Sequence, residues 1–348
     1  MRCLIAGLAA LLFVAPVEAA PLRASDLAST AGLLNWINSY RAHPTPKDVP
    51  AAMLRLSRLG AFDHPERAGV YVGFLAGVLA ANPDKTEWLV TQTLKMDKQD
   101  RWVVVRAIAY SGLPLWKPML RAIEPETPRY DVLSEKYLDG KMATLTEFAV
   151  PPSPSGFARM RKRLHLDAVF GKPPKKLILD PSPEVLDILW GYYFATGGYG
   201  PVMHIIAMLP LSRDHDDADR LAIGSMAKYS LASNAMRDPV LLAMLKSSRK
   251  ARGQPKETAR LLGDVIDAAE TVDTARIRKE ALAAIAELRA KGPAYKRDVS
   301  WWAYLGQSAI AGGCIAAAAT GQVELGIPCV VGGATGSAAL NFWNNSPD

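Results

Sequence analysis

The chain has 348 residues, of which 49% are hydrophobic and 22% charged, and its 41 Lys and Arg against 34 Asp and Glu give a formal net charge of +7. This is a globular composition, which excludes a wholly disordered or fibrous chain. The cationic excess is too dilute to argue for nucleic acid; it suits an anionic membrane surface or an acidic partner.

The N-terminus reads as an export signal. Arg2 precedes an apolar run over residues 4–15, followed by Pro16 and the small-residue end Val17-Glu18-Ala19-Ala20. That is the three-part pattern of a secretory signal peptide, and the run is short for a membrane span. Residues 1–19 are expected to be removed after Ala19, so the protein is expected to be periplasmic or secreted. Cleavage takes Cys3 away and leaves Cys314 and Cys329, an even pair that predicts one disulfide in an oxidising compartment.

From residue 20 onward apolar residues recur at helical spacing, and strand-like alternation is absent. Leu27, Ala31, Leu34 and Ile37 share one helix face, which ends at His43-Pro44; Val49, Met53, Leu56 and Leu59 form the next, which ends at Gly60. Asp63-His64-Pro65-Glu66 predicts a capped helix start. The helix that follows, over 68–81, carries Gly69, Gly73 and Gly77 on one face, a row that permits close packing. At 14 residues it is too short for a span and is expected to be a buried core helix. Further helices are expected at 84–96, 100–111, 114–123 and 128–139. These elements form an N-terminal helical module over 20–149.

Residues 150–181 form a Pro-rich basic linker. Within it Phe157, Met160 and Leu164 share a face with Arg159, Arg161, Lys162 and Arg163 around them, a pattern that suits an anionic membrane surface. A second helical module spans 182–292. Its start repeats the first module's punctuation: at an offset of 118, Pro65-Glu66 matches Pro183-Glu184, Gly73 matches Gly191 and Pro83 matches Pro201. One residue later in offset, Asp100-Arg101 matches Asp219-Arg220 and Tyr110-Ser111 matches Tyr229-Ser230. The reading is a duplicated four-helix unit, 64–123 and 182–245, with a helical hairpin over 255–290 closing the module.

The search for chemistry yields few candidates. No His-Glu-x-x-His, Cys-x-x-Cys, Gly-x-Ser-x-Gly or phosphate-binding glycine loop occurs, and no cofactor is implied. Ser225 and Lys228 have Ser-x-x-Lys spacing, but a capping serine and a surface lysine account for them. Asp214, Asp216, Asp217 and Asp219 form the densest oxygen-ligand cluster and are the candidate metal ligands, with stabilisation of a helix N-terminus as the alternative. Tyr192, Tyr193 and Tyr199 around Gly197-Gly198, together with His204, are candidate binding residues, with core packing as the alternative.

The end of the chain, 293–348, is rich in Gly and Ala and carries one charge, Glu324, between Trp301 and Trp343. Folding it near residue 322 brings Cys314 to Cys329 and gathers Trp301, Trp302 and Trp343 at one end. This predicts an apolar hairpin that is either buried or seated in a membrane. The fold expected from the whole sequence is all-α, a helical-repeat, α-solenoid-like array with this hairpin at its end. The function expected is a non-enzymatic scaffold or binding protein of the cell envelope, with a protein or envelope component as partner. The alternatives are an enzyme with a site near 192–219, or a membrane-active effector.

Overall fold

The computed structural model describes residues 22–152, 177–214 and 217–271, with isolated positions at 276, 279 and 283. The signal sequence, the basic cluster Arg159, Arg161, Lys162 and Arg163, and the hairpin with Trp301, Trp302, Cys314, Cys329 and Trp343 lie outside the described residues, as does Asp216. The fold is all-α: among the described residues there are helices and no strand. Phe148 and Leu179 form an isolated parallel bridge that joins the two ends of the linker.

Twelve α-helices are described. The first seven are α1 (Thr30–Ser39), α2 (Val49–Arg58), α3 (Gly69–Ala81), α4 (Thr86–Thr93), α5 (Trp102–Tyr110), α6 (Trp116–Ala122) and α7 (Asp131–Leu138). After the linker come α8 (Pro183–Thr196), α9 (Tyr199–Met208), α10 (Ala218–Ala235), α11 (Pro239–Lys250) and α12 (Lys256–Glu270). Local chemistry sets several of these boundaries. The Ser182 hydroxyl accepts from the Val185 N–H at 3.1 Å and Pro183 occupies the first turn, so α8 begins there. It ends at Gly197, whose φ of 63° is the left-handed conformation that glycine adopts without a Cβ clash. Asp217 and Asp238 cap α10 and α11 in the same way as Ser182 caps α8.

One expected boundary is wrong. Asp63 caps no α-helix: residues 65–67 form a short 3-10 turn after His64, and α3 starts later, at Gly69. Pro65 fixes its own φ and pushes His64 to an extended backbone, which delays the helix.

α3 and α8 form the most extensive helix pair and the centre of the core. Every residue of α3 from Gly69 to Leu79 is buried, as expected for a core helix, and no helix among the described residues is long and apolar enough to cross a membrane. The two helices touch backbone to backbone. A Cβ on Gly73 would lie 1.9 Å from the Ile188 carbonyl oxygen, and one on Gly191 would lie 2.0 Å from that of Val70. Contact residues ascend together along both helices: Gly69 meets Asp187, Gly73 meets Ile188, and Gly77 meets Ala195. The pair is therefore parallel, with a small-residue row on α3 facing Asp187, Gly191 and Ala195.

These contacts exchange under the 118-residue offset. Val70 and Ile188 are one matched pair, Gly73 and Gly191 another, and each glycine faces the other segment's partner. Each four-helix segment also has its helices in the same order, α3–α6 and α8–α11. Their third helices pack differently: α5 lies on α3, whereas α10 lies chiefly on the 3-10 segment Leu209–Arg213 and on α12. The segments meet first helix to first helix, and the end-to-end stacking of a solenoid does not follow from this contact.

Candidate functional site

A cleft lined by both apolar and charged side chains sits where the two segments join. Its volume is about 630 Å³, within the range of small-molecule sites. Phe62, Asp63 and Pro65 come from the loop before α3, and Gln99, Asp100, Trp102 and Arg106 from the start of α5. Arg129, Tyr130, Leu133 and Met142 come from around α7, and Glu184 from the first turn of α8.

Arg106 forms the wall between the segments. Its Nη1 donates to Glu184 Oε1, and its guanidinium lies 5.8 Å from the centroid of Trp102 and 5.4 Å from that of Tyr110. Burial works against its charge, but Tyr110, Glu184 and Tyr137 outweigh that and hold the guanidinium protonated. Above it, the Tyr130 hydroxyl donates to the Gln99 carbonyl, which fastens α7 to the turn before α5.

Asp100 is a second charged group of the cleft lining, only 2% exposed. Its Oδ2 accepts from the Ser57 hydroxyl at 2.5 Å. Burial raises its carboxyl above the ordinary 3.8; the Ser57 bond opposes this, and the charges of Asp63 and Asp97 add to the rise. The folded chain therefore holds this proton to a higher pH than the unfolded chain does. Stability should fall as pH rises from 3.8 through the raised value. Asp100→Asn is expected to unfold at a higher temperature than wild type at neutral pH, with the gap closing in acid. Thermal unfolding followed across that range checks this, and a less stable variant at neutral pH would contradict it.

The side chains singled out in the sequence near 192–219 have separate partners. The Tyr192 hydroxyl donates to the Ser111 carbonyl at 3.0 Å, Tyr193 donates to Asp238, and the Tyr199 hydroxyl pairs with that of Ser248 at 2.6 Å. His204 packs edge to face with Phe148 at 4.7 Å, and burial lowers its pKa below 6.5. Asp214 binds Arg220 at 2.7 Å, and Asp217 accepts from the Asp219 and Arg220 N–H groups at the start of α10. Among the described residues no group of three His, Cys, Asp or Glu is placed to hold a metal ion. Ser225 lies inside α10 rather than at its start, and Lys228 is buried and paired with Asp264 at 3.2 Å, so neither the capping nor the surface reading holds.

The cleft itself escapes single-residue motifs, because its walls come from positions as far apart as Phe62 and Glu184. The matched positions do not separate cleft from core: Pro65 and Asp100, which line the cleft, match Pro183 and Asp219, and Tyr110 and Tyr229, which match as well, are buried in the core. Comparison with known proteins gives no matching family model, no matching curated protein and no matching solved structure.

Proposed function

We propose that this is an exported, non-enzymatic binding protein of the cell envelope, with the cleft at Asp100 and Arg106 as its ligand site. The observation that carries the reading is the cleft: its size, its mixed aromatic and polar lining, and a buried carboxyl inside it. The signal-peptide pattern over 1–19 supports export, and the basic linker and apolar hairpin support attachment to an anionic membrane or to an envelope partner. In this reading the repeated segments are one duplicated module. The first copy keeps the ligand site, while the second braces it through α8.

The test is to purify the mature protein from its native envelope fraction and measure what it releases on denaturation by mass spectrometry. Leu133→Trp, which fills the cleft wall, is the comparison. The expected result is a small molecule that leaves with wild type and is missing from a folded Leu133→Trp protein. The same release from both would place the ligand elsewhere, and a protein retained in the cytoplasm would overturn export.

A further inference from the structure

We propose that the cleft takes a small organic cation, a primary ammonium or guanidinium carried on an aromatic or aliphatic body, with its charged head against Asp100. This deepens, and rests on, the reading of the cleft as the ligand site. Five charged side chains line it. Asp63, Asp100 and Glu184 face Arg106 and Arg129. Arg106 and Glu184 are in direct contact and neutralise one another. Asp63 and Arg129 are exposed at the rim, where water screens them.

That leaves Asp100. Among the described residues no ion pair reaches its carboxylate, and its one side-chain hydrogen bond is the Ser57 hydroxyl on Oδ2. Its Oδ1 is not among the polar atoms sealed from water, so a cation entering the cleft can reach it and supply both a countercharge and a donor. An anion in the same place would meet the Asp100 carboxylate. The body of the ligand has apolar cover from Phe62, Leu133 and Met142, with the Tyr130 ring beside them. One face of the Trp102 ring already carries Arg106.

Binding should therefore depend on the ionised form of Asp100, whose neighbours are Ser57, Asp63, Asp97 and Tyr130. Affinity should fall as pH drops through the raised range of this carboxyl. Binding within that range should release a proton, seen as a dependence of the calorimetric heat on the ionisation heat of the buffer.

Isothermal titration calorimetry on the full-length mature chain separates the outcomes, with three probes of matched body: 2-phenylethylamine, 2-phenylethanol and 3-phenylpropionate. The amine is expected to bind at least about tenfold more tightly than the other two, and Asp100→Asn to weaken it by about tenfold or more. Asp63→Asn should weaken it only about two- to threefold, with an effect that salt removes. Unchanged amine binding in a folded Asp100→Asn protein would overturn the inference. So would tighter binding of the acid; if Leu133→Trp abolishes that binding, the cleft stands as a ligand site and only the ligand class is wrong. No binding by any probe also overturns the cation, while the mass measurement on native protein decides the cleft independently.

Discussion

Gly73→Ala and Gly191→Ala should each destabilise the protein by about 3 kcal/mol, the upper end of overpacking costs. The reason is that the obstruction is backbone. A methyl group on Gly73 would meet the Ile188 carbonyl oxygen at 1.9 Å, and one on Gly191 would meet that of Val70 at 2.0 Å. Neither carbonyl can rotate away as a side chain could, so α3 and α8 must separate. Because the two contacts exchange under the 118-residue offset, the two variants should cost nearly the same. Once one has parted the helices the second should add less, so the double variant should fall short of the sum. Gly200→Ala is the control: nothing lies within 4 Å of its added Cβ, and alanine favours helix α9. Urea unfolding measures all four variants. If Gly73→Ala matches Gly200→Ala, the close crossing is absent.

Asp238→Ala should cost about 4 kcal/mol, because one carboxylate closes three connections. Its Oδ1 accepts from the Val240 and Leu241 N–H groups at 3.0 and 3.1 Å and caps α11. Its Oδ2 takes Arg41 Nη2 at 2.5 Å and the Tyr193 hydroxyl. The Arg41 guanidinium also lies 5.0 Å from the centroid of Tyr193, so the loop after α1 is held to α8 and α11 at one point. Removing the carboxylate leaves a mostly buried cation and an open helix end. Tyr193→Phe should cost only about 1 kcal/mol, since it removes one hydrogen bond and leaves the ring packed. A double-mutant cycle between Arg41 and Asp238, followed by urea unfolding, gives the coupling. Additive single variants would show that the ion pair contributes nothing to the junction.

The parts of this fold that were legible in the sequence are those set by short-range pattern. The glycine row of α3 and the Pro183 start of α8 each act within a few residues, and each is where the sequence placed it. Asp63 misled because the capping pattern is also the pattern of a loop, and Pro65 decided between them. The aromatic trio of Trp36, Tyr40 and Phe74, with ring centroids 5.0 to 5.6 Å apart, joins α1 to α3 and has no signature in either segment alone. The same holds for Arg41 with Asp238, 197 residues apart, and for Arg106 with Glu184, 78 apart. Tyr193 drew attention as a pocket residue, and its hydroxyl instead completes a buried structural junction. In the sequence Asp100 is only a repeated punctuation mark; its burial beside Ser57 depends on the end of α2 reaching the turn before α5.

The most direct test of the account is a crystal structure of the mature protein purified from its native envelope without added ligand. The expected result is a non-water group in the cleft, within hydrogen-bond distance of Asp100 Oδ1 and covered by Phe62 and Leu133. A cleft holding only water, with Asp100 bonded to Ser57 alone, would contradict it.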